Sequence, residues 1–140
     1  MISKNTILYA EDDLDDFEAL QDALRQETDK YTLVHARNGI EVMKYLDQHV
    51  EKHPNTIVLD LNMPQMDGKE TLRWLKEHEY YRNIPVLVFT TSSREEDMRL
   101  CKNFGCSFFR KPTLYRDLLH VVQVIVTLAE EKKESDCVQQ

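Results

Sequence analysis

The chain has 140 residues, of which 41% are hydrophobic and 31% charged, and its formal net charge at pH 7 is −7. This composition is typical of one globular domain with a conventional core and excludes disordered and transmembrane classes. The acidic balance, without clustered Lys and Arg, argues against a nucleic-acid-binding surface. No apolar run reaches the roughly 18 residues of a membrane-spanning helix, and Met1–Tyr9 lacks a signal-peptide pattern, so we expect a soluble cytoplasmic protein.

The cysteines of the chain are Cys101, Cys106 and Cys137, an odd number without C-x-x-C spacing. This pattern argues against a disulfide framework and against a zinc site. We therefore expect free thiols, two of which have a structural role as small apolar side chains.

Five strand-like segments alternate along the chain with five helix-like segments. The strand-like segments are rich in apolar and β-branched residues and are followed by turn or capping residues. Such alternation predicts right-handed crossovers and a parallel sheet with helices on both faces, which is an α/β fold. The predicted strands are Ser3–Ala10, Tyr31–Ala36, Thr56–Leu59, Pro85–Thr90 and Cys106–Phe109.

The helices that follow the strands begin at side chains that can cap an N-terminus. Helix one follows the acidic run EDDLDD, in which Asp13, Asp15 or Asp16 can act as the cap. The later caps are predicted at Asn38 with Glu41 three residues on, at Asp67–Gly68, and at Thr91–Ser93 with Ser93 and Glu96 at capping-box spacing.

The last helix is predicted to run from Leu114 to about Glu130 and carries two apolar stripes. One stripe faces the core, and we hypothesise a homodimer through the flanking one; the alternative is that neighbouring helices cover it. Residues 131–140 have too few apolar side chains to pack, so we place the domain at 1–130 and expect a polar, disordered tail. The core stripe is Leu118, Val121, Val122, Ile125, Leu128 and Ala129, and the flanking stripe is Tyr115, Leu119, Val122 and Val126.

Asp60 is the residue around which the sequence is organised. The buried-strand pattern of Thr56–Leu59 leads directly into it, and Pro64 and Gly68 punctuate the loop that follows. Ligands of open parallel sheets bind at the carboxyl ends of the strands. The ends of strands one, three, four and five are expected to bring five polar side chains to one cleft: Glu11, Asp12, Asp60, Thr90 and Lys111.

Three carboxylates in one cleft would repel one another, so a bound hard cation is expected. Mg²⁺ suits the site best, because it uses one or two carboxylates together with phosphate oxygens. An aspartate beside such a cation can attack phosphorus to give an acyl phosphate. Lys111 would then place its charge on one phosphoryl oxygen and Thr90 would donate a hydrogen bond to another, so the residues predict phosphoryl transfer to Asp60.

The chain resembles the receiver domain of two-component response regulators over about residues 5 to 130. Any one of its motifs is weak evidence, whereas four in this order and at these spacings are highly specific. The motifs are the acidic pair Glu11–Asp12, the run DLNMPQMDG around Asp60, Thr90 at the end of strand four, and Lys111–Pro112 after strand five.

The resemblance implies a flavodoxin-like, doubly wound five-stranded parallel sheet in the order 2-1-3-4-5 with five helices. It implies that Asp60 accepts a phosphoryl group from the phosphohistidine of a sensor histidine kinase. The chain would catalyse only its own phosphorylation and dephosphorylation. Mg²⁺ would be bound by Asp12, Asp60 and the main-chain carbonyl of Asn62, with Glu11 acting through water. The Lys111–Pro112 peptide bond would be cis, which only proline makes accessible.

The resemblance also implies a switch pair, Thr90 and Phe108, in which the hydroxyl swings toward the phosphoryl group and the ring moves inward. Phe108 stands where many members have tyrosine, so no ring hydroxyl can report the state by hydrogen bonding. Only a short polar tail follows the fifth unit, so we expect no output domain. The Lys111–Thr113 junction and the apolar last helix are similar to the small response regulators that partner phytochrome-type kinases.

Three alternatives to a working receiver are open. A degenerate receiver would act as a constitutive protein-binding module without phosphorylation. A phosphatase of the haloacid dehalogenase type requires an acid two residues after the nucleophile, where this chain has Asn62. A flavodoxin-like cofactor binder requires a Gly- or Ser/Thr-rich loop after strand one, where the run EDDLDD would repel phosphate.

Overall fold

The computed structural model describes residues 5–138. Within this range five strands alternate with five helices, as the sequence predicts, while the predicted strand residues Ser3 and Lys4 lie outside it. In chain order the elements are β1 (Asn5–Ala10), α1 (Leu14–Glu27), β2 (Tyr31–Ala36), α2 (Gly39–Gln48), β3 (Thr56–Leu59), α3 (Gly68–Glu77), β4 (Val86–Thr90), α4 (Glu95–Asn103), β5 (Ser107–Arg110) and α5 (Tyr115–Val138).

The strands form one parallel sheet in the order β2-β1-β3-β4-β5. The predicted flavodoxin-like order is therefore confirmed. In the register, Ile7 of β1 lies between Leu33 of β2 and Thr56 of β3. The chain adds β2 on one side of β1 and then adds β3, β4 and β5 on the other side, so the strand order reverses between β1 and β3. At such a switch point a crevice opens at the carboxyl ends of the strands.

Helices cover both faces of the sheet, which confirms the doubly wound architecture. One apolar cluster joins side chains of α2, α3 and α4 to the face of β1 that carries Leu8, and the other joins α1 and α5 to the face that carries Tyr9. Because both faces are buried, the strands read as nearly continuous apolar runs. Each fully buried Leu or Ile contributes about 1.5–3 kcal/mol, so the core holds the strands, and hence their ends, in a single register.

Three of the predicted helix caps are confirmed. In each case a side-chain oxygen of the residue before the helix accepts a hydrogen bond from a main-chain N–H of the first turn. Asp13 accepts from Asp15 and Asp16 at 2.9 and 3.2 Å, Asn38 accepts from Glu41 at 2.9 Å, and Asp67 accepts from Glu70 at 3.0 Å.

The predicted capping box of α4 is wrong. The N-cap residue is Arg94, which makes no side-chain cap hydrogen bond, and Ser93 and Glu96 do not pair across the first turn. The hydroxyl of Ser92 instead accepts a hydrogen bond from the Arg94 N–H at 3.3 Å and donates one to the carboxylate of Asp97 at 2.6 Å. These hydrogen bonds of Ser92 therefore take the place of the predicted capping box.

The helix α5 is longer than the sequence pattern predicts. It extends to Val138, beyond the end expected near Glu130, because the Glu and Lys residues of this stretch have high helix propensity. The domain boundary at residue 130 stays a prediction, and residues 139–140 of the expected tail lie outside the described range. Although α5 has 24 residues, no helix of the described chain is both long and apolar enough to cross a bilayer.

The apolar stripes of α5 also differ in part from their prediction. Val122, which the spacing places in both stripes, is fully buried and belongs to the core, whereas Tyr115 is 47% exposed. The remaining members of the predicted flanking stripe, Leu119 and Val126, are half-buried against the cluster beneath α1 and α5. The free apolar surface of α5 is therefore narrower than expected and is centred on its first turns.

The Lys111–Pro112 peptide bond is not cis, so this implication of the family resemblance is wrong. No peptide bond within residues 5–138 is cis, so this bond is trans. The trans isomer of an ordinary X–Pro bond is favoured by about 0.5–1 kcal/mol. The main-chain N–H of Lys111 donates to the Thr90 carbonyl at 2.8 Å, which continues the β4–β5 pairing to the edge of the sheet.

Candidate functional site

Asp60 lies at the carboxyl edge of the sheet, directly after β3. Its main-chain N–H donates to the carbonyl of Ala10 at 3.1 Å, which extends the pairing of β1 and β3 by one residue. The residue is 4% exposed, and one carboxylate oxygen accepts a hydrogen bond from the N–H of Asn62 at 3.3 Å. Two rigid strands thus hold this carboxylate at the switch point, as the sequence predicts.

Glu11 and Asp12 bring two further carboxylates to Asp60. One ligand oxygen from each of the three residues lies within 4.8 Å of the others. Glu11 is buried and accepts hydrogen bonds from the Tyr9 hydroxyl at 3.1 Å and the Asp13 N–H at 3.2 Å, whereas Asp12 is exposed. The predicted acidic cluster therefore forms, with a fixed buried part and a part open to solvent.

The electrostatics of this cluster favour a cation. Burial raises the pKa of Glu11 to about 7, the hydrogen bond from Lys111 opposes this rise, and the charge of Asp60 adds to it. Carboxylate oxygens are the ligands that hard divalent cations prefer, and close carboxylates become easier to ionise beside such an ion. The donor set of Glu11, Asp12 and Asp60 thus fits a divalent cation such as Mg²⁺.

Lys111 reaches the same cluster from the end of β5. Its ammonium donates to the carboxylates of Glu11, of Asp16 at 2.8 Å and of Asp60 at 3.4 Å. Burial alone would lower the pKa of Lys111, but hydrogen bonds to Asp16 and Glu11 and the charge of Asp60 raise it above its ordinary value. Lys111 is therefore a fixed positive charge within reach of Asp60.

Asp16 is a member of the site that sequence reasoning missed. The acidic run offers it only as one of several capping candidates, and the structure assigns the cap to Asp13. The sequence does contain a signal for its position, since Asp16 precedes the buried Leu20 by four residues and side chains at that spacing share a helix face. The first turn of α1 therefore directs Asp16 toward the sheet and Lys111.

Thr90 and Phe108 occupy neighbouring strands on one face of the sheet. Thr90, the last residue of β4, is fully buried, and its hydroxyl oxygen accepts a hydrogen bond from the Ser92 N–H at 3.2 Å. Phe108 of β5 is half-buried and lies opposite Val88, two residues before Thr90. Residues two apart on a strand face the same side, so the two side chains are diagonal neighbours.

The loop after Asp60 depends on a close approach at Gly68. The Gly68 N–H donates to the Leu61 carbonyl at 3.1 Å. A Cβ at position 68 would overlap the Asp60 carbonyl oxygen and the Leu61 Cα, and these backbone atoms cannot move aside. Glycine therefore lets α3 begin directly against the backbone that carries the Asp60 carboxylate.

A second polar network adjoins the site and was also missed by sequence reasoning. Asp97 of α4 is buried and accepts a hydrogen bond from the Ser92 hydroxyl at 2.6 Å, and its other oxygen pairs with the Lys69 ammonium at 3.1 Å. Ser92 contacts Thr90 through its main chain. The network thus joins the β4–α4 loop to α4 and to the first turn of α3.

The arrangement combines an aspartate, an adjacent ammonium and a carboxylate cluster that fits a divalent cation. A carboxylate can act as a nucleophile toward phosphorus. Phosphoryl transfer needs mainly positioning and charge neutralisation around the transferred group, which an ammonium and a cation supply. The structure brings together four of the predicted residues: Glu11, Asp12, Asp60 and Lys111. Asn62 and Thr90 lie beside this group, whereas Phe108 lies within β5, three residues before Lys111.

Comparison with known proteins agrees with this fold. The model of the response regulator receiver domain family matches residues 7–123. The chain is 35% identical to response regulator Rcp1 of Synechocystis sp. over 124 residues, which are 85% of this chain and 84% of Rcp1. The family match spans Glu11, Asp12, Asp60 and Lys111.

Two solved structures have the same fold. The crystal structure of Mn²⁺-bound Rcp1 superposes with a TM-score of 0.77 and 33% identity, covering 86% of this chain and 91% of that one. The phosphorylated cyanobacterial phytochrome response regulator RcpA superposes with a TM-score of 0.78 and 32% identity, covering 88% and 91%. The chain belongs to the response regulator receiver domain family of two-component systems.

Proposed function

We propose that this chain is a phosphorylation-controlled switch in which Asp60 accepts a phosphoryl group from the phosphohistidine of a sensor histidine kinase. The observation that carries the proposal is the contact of the Lys111 ammonium with Asp60 inside an acidic cluster, at 3.4 Å. An ammonium in this position can bind a phosphoryl oxygen once Asp60 carries the group. Phosphorylation on an aspartate is general in this family, and Asp60 is the candidate for that aspartate in this chain.

The cation in the proposal is Mg²⁺, held by Glu11, Asp12, Asp60 and the main-chain carbonyl of Asn62. When bound, it supplies positive charge that offsets the charge of the transferring phosphoryl group. Support comes from the carboxylates of Glu11, Asp12 and Asp60, which offer oxygens within 4.8 Å of one another, and from the Mn²⁺-bound state of the homologue Rcp1.

The residues of the chain then have defined roles in the reaction. An oxygen of Asp60 attacks the phosphorus, the P–O bond forms as the P–N bond of the phosphohistidine breaks, and the imidazole leaves. Lys111 stabilises one phosphoryl oxygen by charge, and Thr90 gives up its bond from Ser92 and donates its hydroxyl to another. The chain acts catalytically only on its own phosphorylation and, with water, on its own dephosphorylation.

The proposed output is a change in the surface formed by β5 and α5. Movement of Thr90 toward the phosphoryl group would leave space on its face of the sheet, and the half-buried Phe108 ring is the diagonal neighbour that can turn inward. The changed surface would bind a partner or a second copy of the chain. The exposed Tyr115 at the start of α5 supports this location.

The proposed kinase is of the phytochrome type. Support comes from RcpA, described as a cyanobacterial phytochrome response regulator, and from the bacteriophytochrome response regulator AtBRR, which superposes with a TM-score of 0.71 and 30% identity over 89% of this chain and 94% of that one. Phosphotransfer from a panel of purified, autophosphorylated sensor kinases would test this assignment. Equal transfer rates from phytochrome-type and unrelated kinases would contradict it.

The experiment that tests the phosphorylation proposal is intact-protein mass spectrometry after incubation with acetyl phosphate and Mg²⁺. We expect a single phosphoryl adduct on the wild type, none on Asp60→Asn, and none when EDTA removes the metal. Asp29→Asn is a matched control, since it makes the same change at an exposed position away from the cluster, and it should be modified like the wild type.

Absence of an adduct under every condition would contradict the proposal. It would favour the alternative, a degenerate receiver that binds its partner constitutively. An adduct that persists in Asp60→Asn would instead move the phosphorylated residue elsewhere in the chain.

A further inference from the structure

Two cysteines lie together at the junction of α4 and β5, away from the acidic cluster. The helix α4 ends in a Schellman motif: the Gly105 N–H donates to the Lys102 carbonyl at 3.0 Å, and the Cys106 N–H donates to the Cys101 carbonyl at 2.9 Å. Gly105 has φ +70°, the left-handed conformation that this motif requires and that glycine adopts without strain.

In a Schellman motif the side chains of the first and last residues are frequently in contact. Here those residues are Cys101 and Cys106, both free thiols, whose side chains pack into the same apolar cluster. Two cysteines can form a disulfide only if their backbones approach closely, and the direct hydrogen bond between these two backbones meets that condition. A spacing of five residues is not a recognised redox motif. It is the turn at the end of α4 that brings the two cysteines together.

The surroundings give the two thiols different reactivity. Cys101 is buried and donates to the Ser107 carbonyl at 3.3 Å, whereas Cys106 is half-buried, hence the more exposed of the two, and donates to the Phe104 carbonyl at 3.8 Å. The ammonium of Lys76, held by the carbonyls of Arg82 and Ile84, interacts electrostatically with both thiols. The interaction with the Cys101 thiol and the charge of Lys76 lower the pKa of Cys106, against the effect of burial, and a lower pKa favours the reactive thiolate.

We propose that Cys101 and Cys106 are a site of reversible oxidation, at which an intramolecular disulfide closes across the α4–β5 junction. The oxidant is a low-molecular-weight disulfide such as oxidised glutathione. The Cys106 thiolate attacks one sulfur of the oxidant, whose S–S bond breaks to release one glutathione thiolate. Cys101 then loses its proton and attacks the Cys106 sulfur, which releases the second glutathione. The protein loses two electrons and two protons, and the oxidant gains both as two thiols.

This proposal is independent of phosphorylation at Asp60. The disulfide would fasten the end of α4 to the residue before β5, the strand that carries Phe108. Any effect on the proposed output surface would therefore be additional to the modification itself.

The test is equilibration of the folded protein in buffers of varied ratio of reduced to oxidised glutathione, followed by acid quenching, alkylation of free thiols and tryptic digestion. The protein carries Cys137→Ser, so that only the two thiols in question remain. Lys102 lies between them, so trypsin separates the peptides 100–102 and 103–110. We expect these two peptides to be recovered linked, with two hydrogen atoms fewer than their sum, and to separate again after reduction.

The same equilibration in concentrated urea measures how readily the disulfide forms in the unfolded chain, where only the short spacing in sequence keeps the two thiols close. We expect the effective concentration of one thiol for the other to be at least about tenfold higher in the folded protein than in the unfolded chain, because the fold holds them in contact. Equal values in the two states would overturn the proposal. Recovery of Cys106 as a stable glutathione adduct, or of both cysteines alkylated at every ratio, would overturn it as well.

Two variants test the order of attack. In Cys101→Ser the glutathione should remain on Cys106, since no second thiol displaces it. In Cys106→Ser the buried Cys101 should stay unmodified in the folded protein. Modification of Cys101 at the wild-type rate in Cys106→Ser would remove Cys106 as the attacking thiol and contradict the mechanism.

Discussion

At the scale of single residues, the ammonium of Lys111 connects three parts of the chain: the end of β1, the first turn of α1 and the end of β3. Asp60 is the farthest of its three partners, at 3.4 Å, and Asp16 is held at 2.8 Å. If Lys111 is to bind a phosphoryl group on Asp60, it must share its donors with Asp16. Asp16 and the phosphorylated Asp60 therefore compete for the Lys111 ammonium.

Replacing Asp16 by Asn should speed the phosphorylation of Asp60 by acetyl phosphate. The amide cannot hold Lys111 by charge, so the ammonium is freer to bind the incoming phosphoryl group, and we expect a rate increase of about two- to fivefold. The rate of adduct formation by intact-protein mass spectrometry measures it. Asp15→Asn is the matched control, because it makes the same charge change at an exposed neighbour. Equal rates for the two variants would contradict the competition.

Thr56, the first residue of β3, is buried, and within the described chain its hydroxyl has no hydrogen-bond partner. Thr56→Val removes the unsatisfied hydroxyl at nearly constant shape and should raise the free energy of unfolding by about 1 kcal/mol. Urea denaturation at pH 7 measures this change. The control is Thr71→Val, which should be destabilising, since the equally buried Thr71 hydroxyl donates to the Asp67 carbonyl at 2.7 Å. A destabilised Thr56→Val would show that the hydroxyl is paired.

At the scale of elements, Asp97 ties α4 to its neighbours. Although burial raises the pKa of Asp97, the hydrogen bond from Ser92 and the pairing with Lys69 outweigh it and lower the pKa below its ordinary value. A carboxyl whose pKa is lower in the folded state stabilises the fold above its unfolded pKa and loses that contribution as pH falls through the folded value. The network therefore holds α4 most firmly at neutral pH.

Asp97→Asn should lower the free energy of unfolding at pH 7 by about 1–2 kcal/mol, because the Ser92 and Lys69 contacts lose their charged acceptor. The difference from the wild type should shrink as pH falls below the unfolded value of about 3.9, since the wild-type carboxyl then becomes protonated. Denaturation curves at pH 7 and in the acid range measure both effects. Glu96→Gln, at an exposed position on the same helix, should change little. A pH-independent difference would rule out the charge as its source.

At the scale of the whole molecule, the exposed apolar residues at the start of α5 are a candidate contact surface for the proposed homodimer. Leu114, which precedes the helix, is 50% exposed and Tyr115, its first residue, is 47% exposed, so two adjacent apolar side chains are uncovered where α5 begins. A stable protein–protein interface buries about 1,200–2,000 Å², more than this turn alone provides, so the half-buried Leu119 and Val126 would have to join it. The proposed homodimer therefore uses one continuous side of α5.

If the phosphorylated chain dimerises through this side of α5, Tyr115→Arg should weaken the dimer by tenfold or more, because an aromatic contact would be replaced by repelling charges. Light scattering of the wild type and the variant, with and without acetyl phosphate, measures the change. Val50→Arg is the control, because Val50 is also an exposed apolar residue and lies outside α5. Equal dimerisation of both variants would place the interface elsewhere.

The sequence by itself determined the alternation of strands and helices, three of the helix caps and the meeting of Glu11, Asp12, Asp60 and Lys111. These features follow from local rules: the apolar strand runs are buried on both faces, the caps satisfy nearby N–H groups, and the ends of parallel strands share one edge. The four motifs in order also predicted the receiver family, which the comparison with known proteins confirms.

Only the tertiary structure decided which polar side chains meet between distant segments. Asp16 reaches Lys111 across 95 residues of sequence, and Asp97 of α4 pairs with Lys69 in the first turn of α3. The exposed width of α5 was likewise set by the packing of Val122 into the core, which a helical period alone does not reveal. Such pairings depend on the relative placement of whole elements, and no local propensity encodes that placement.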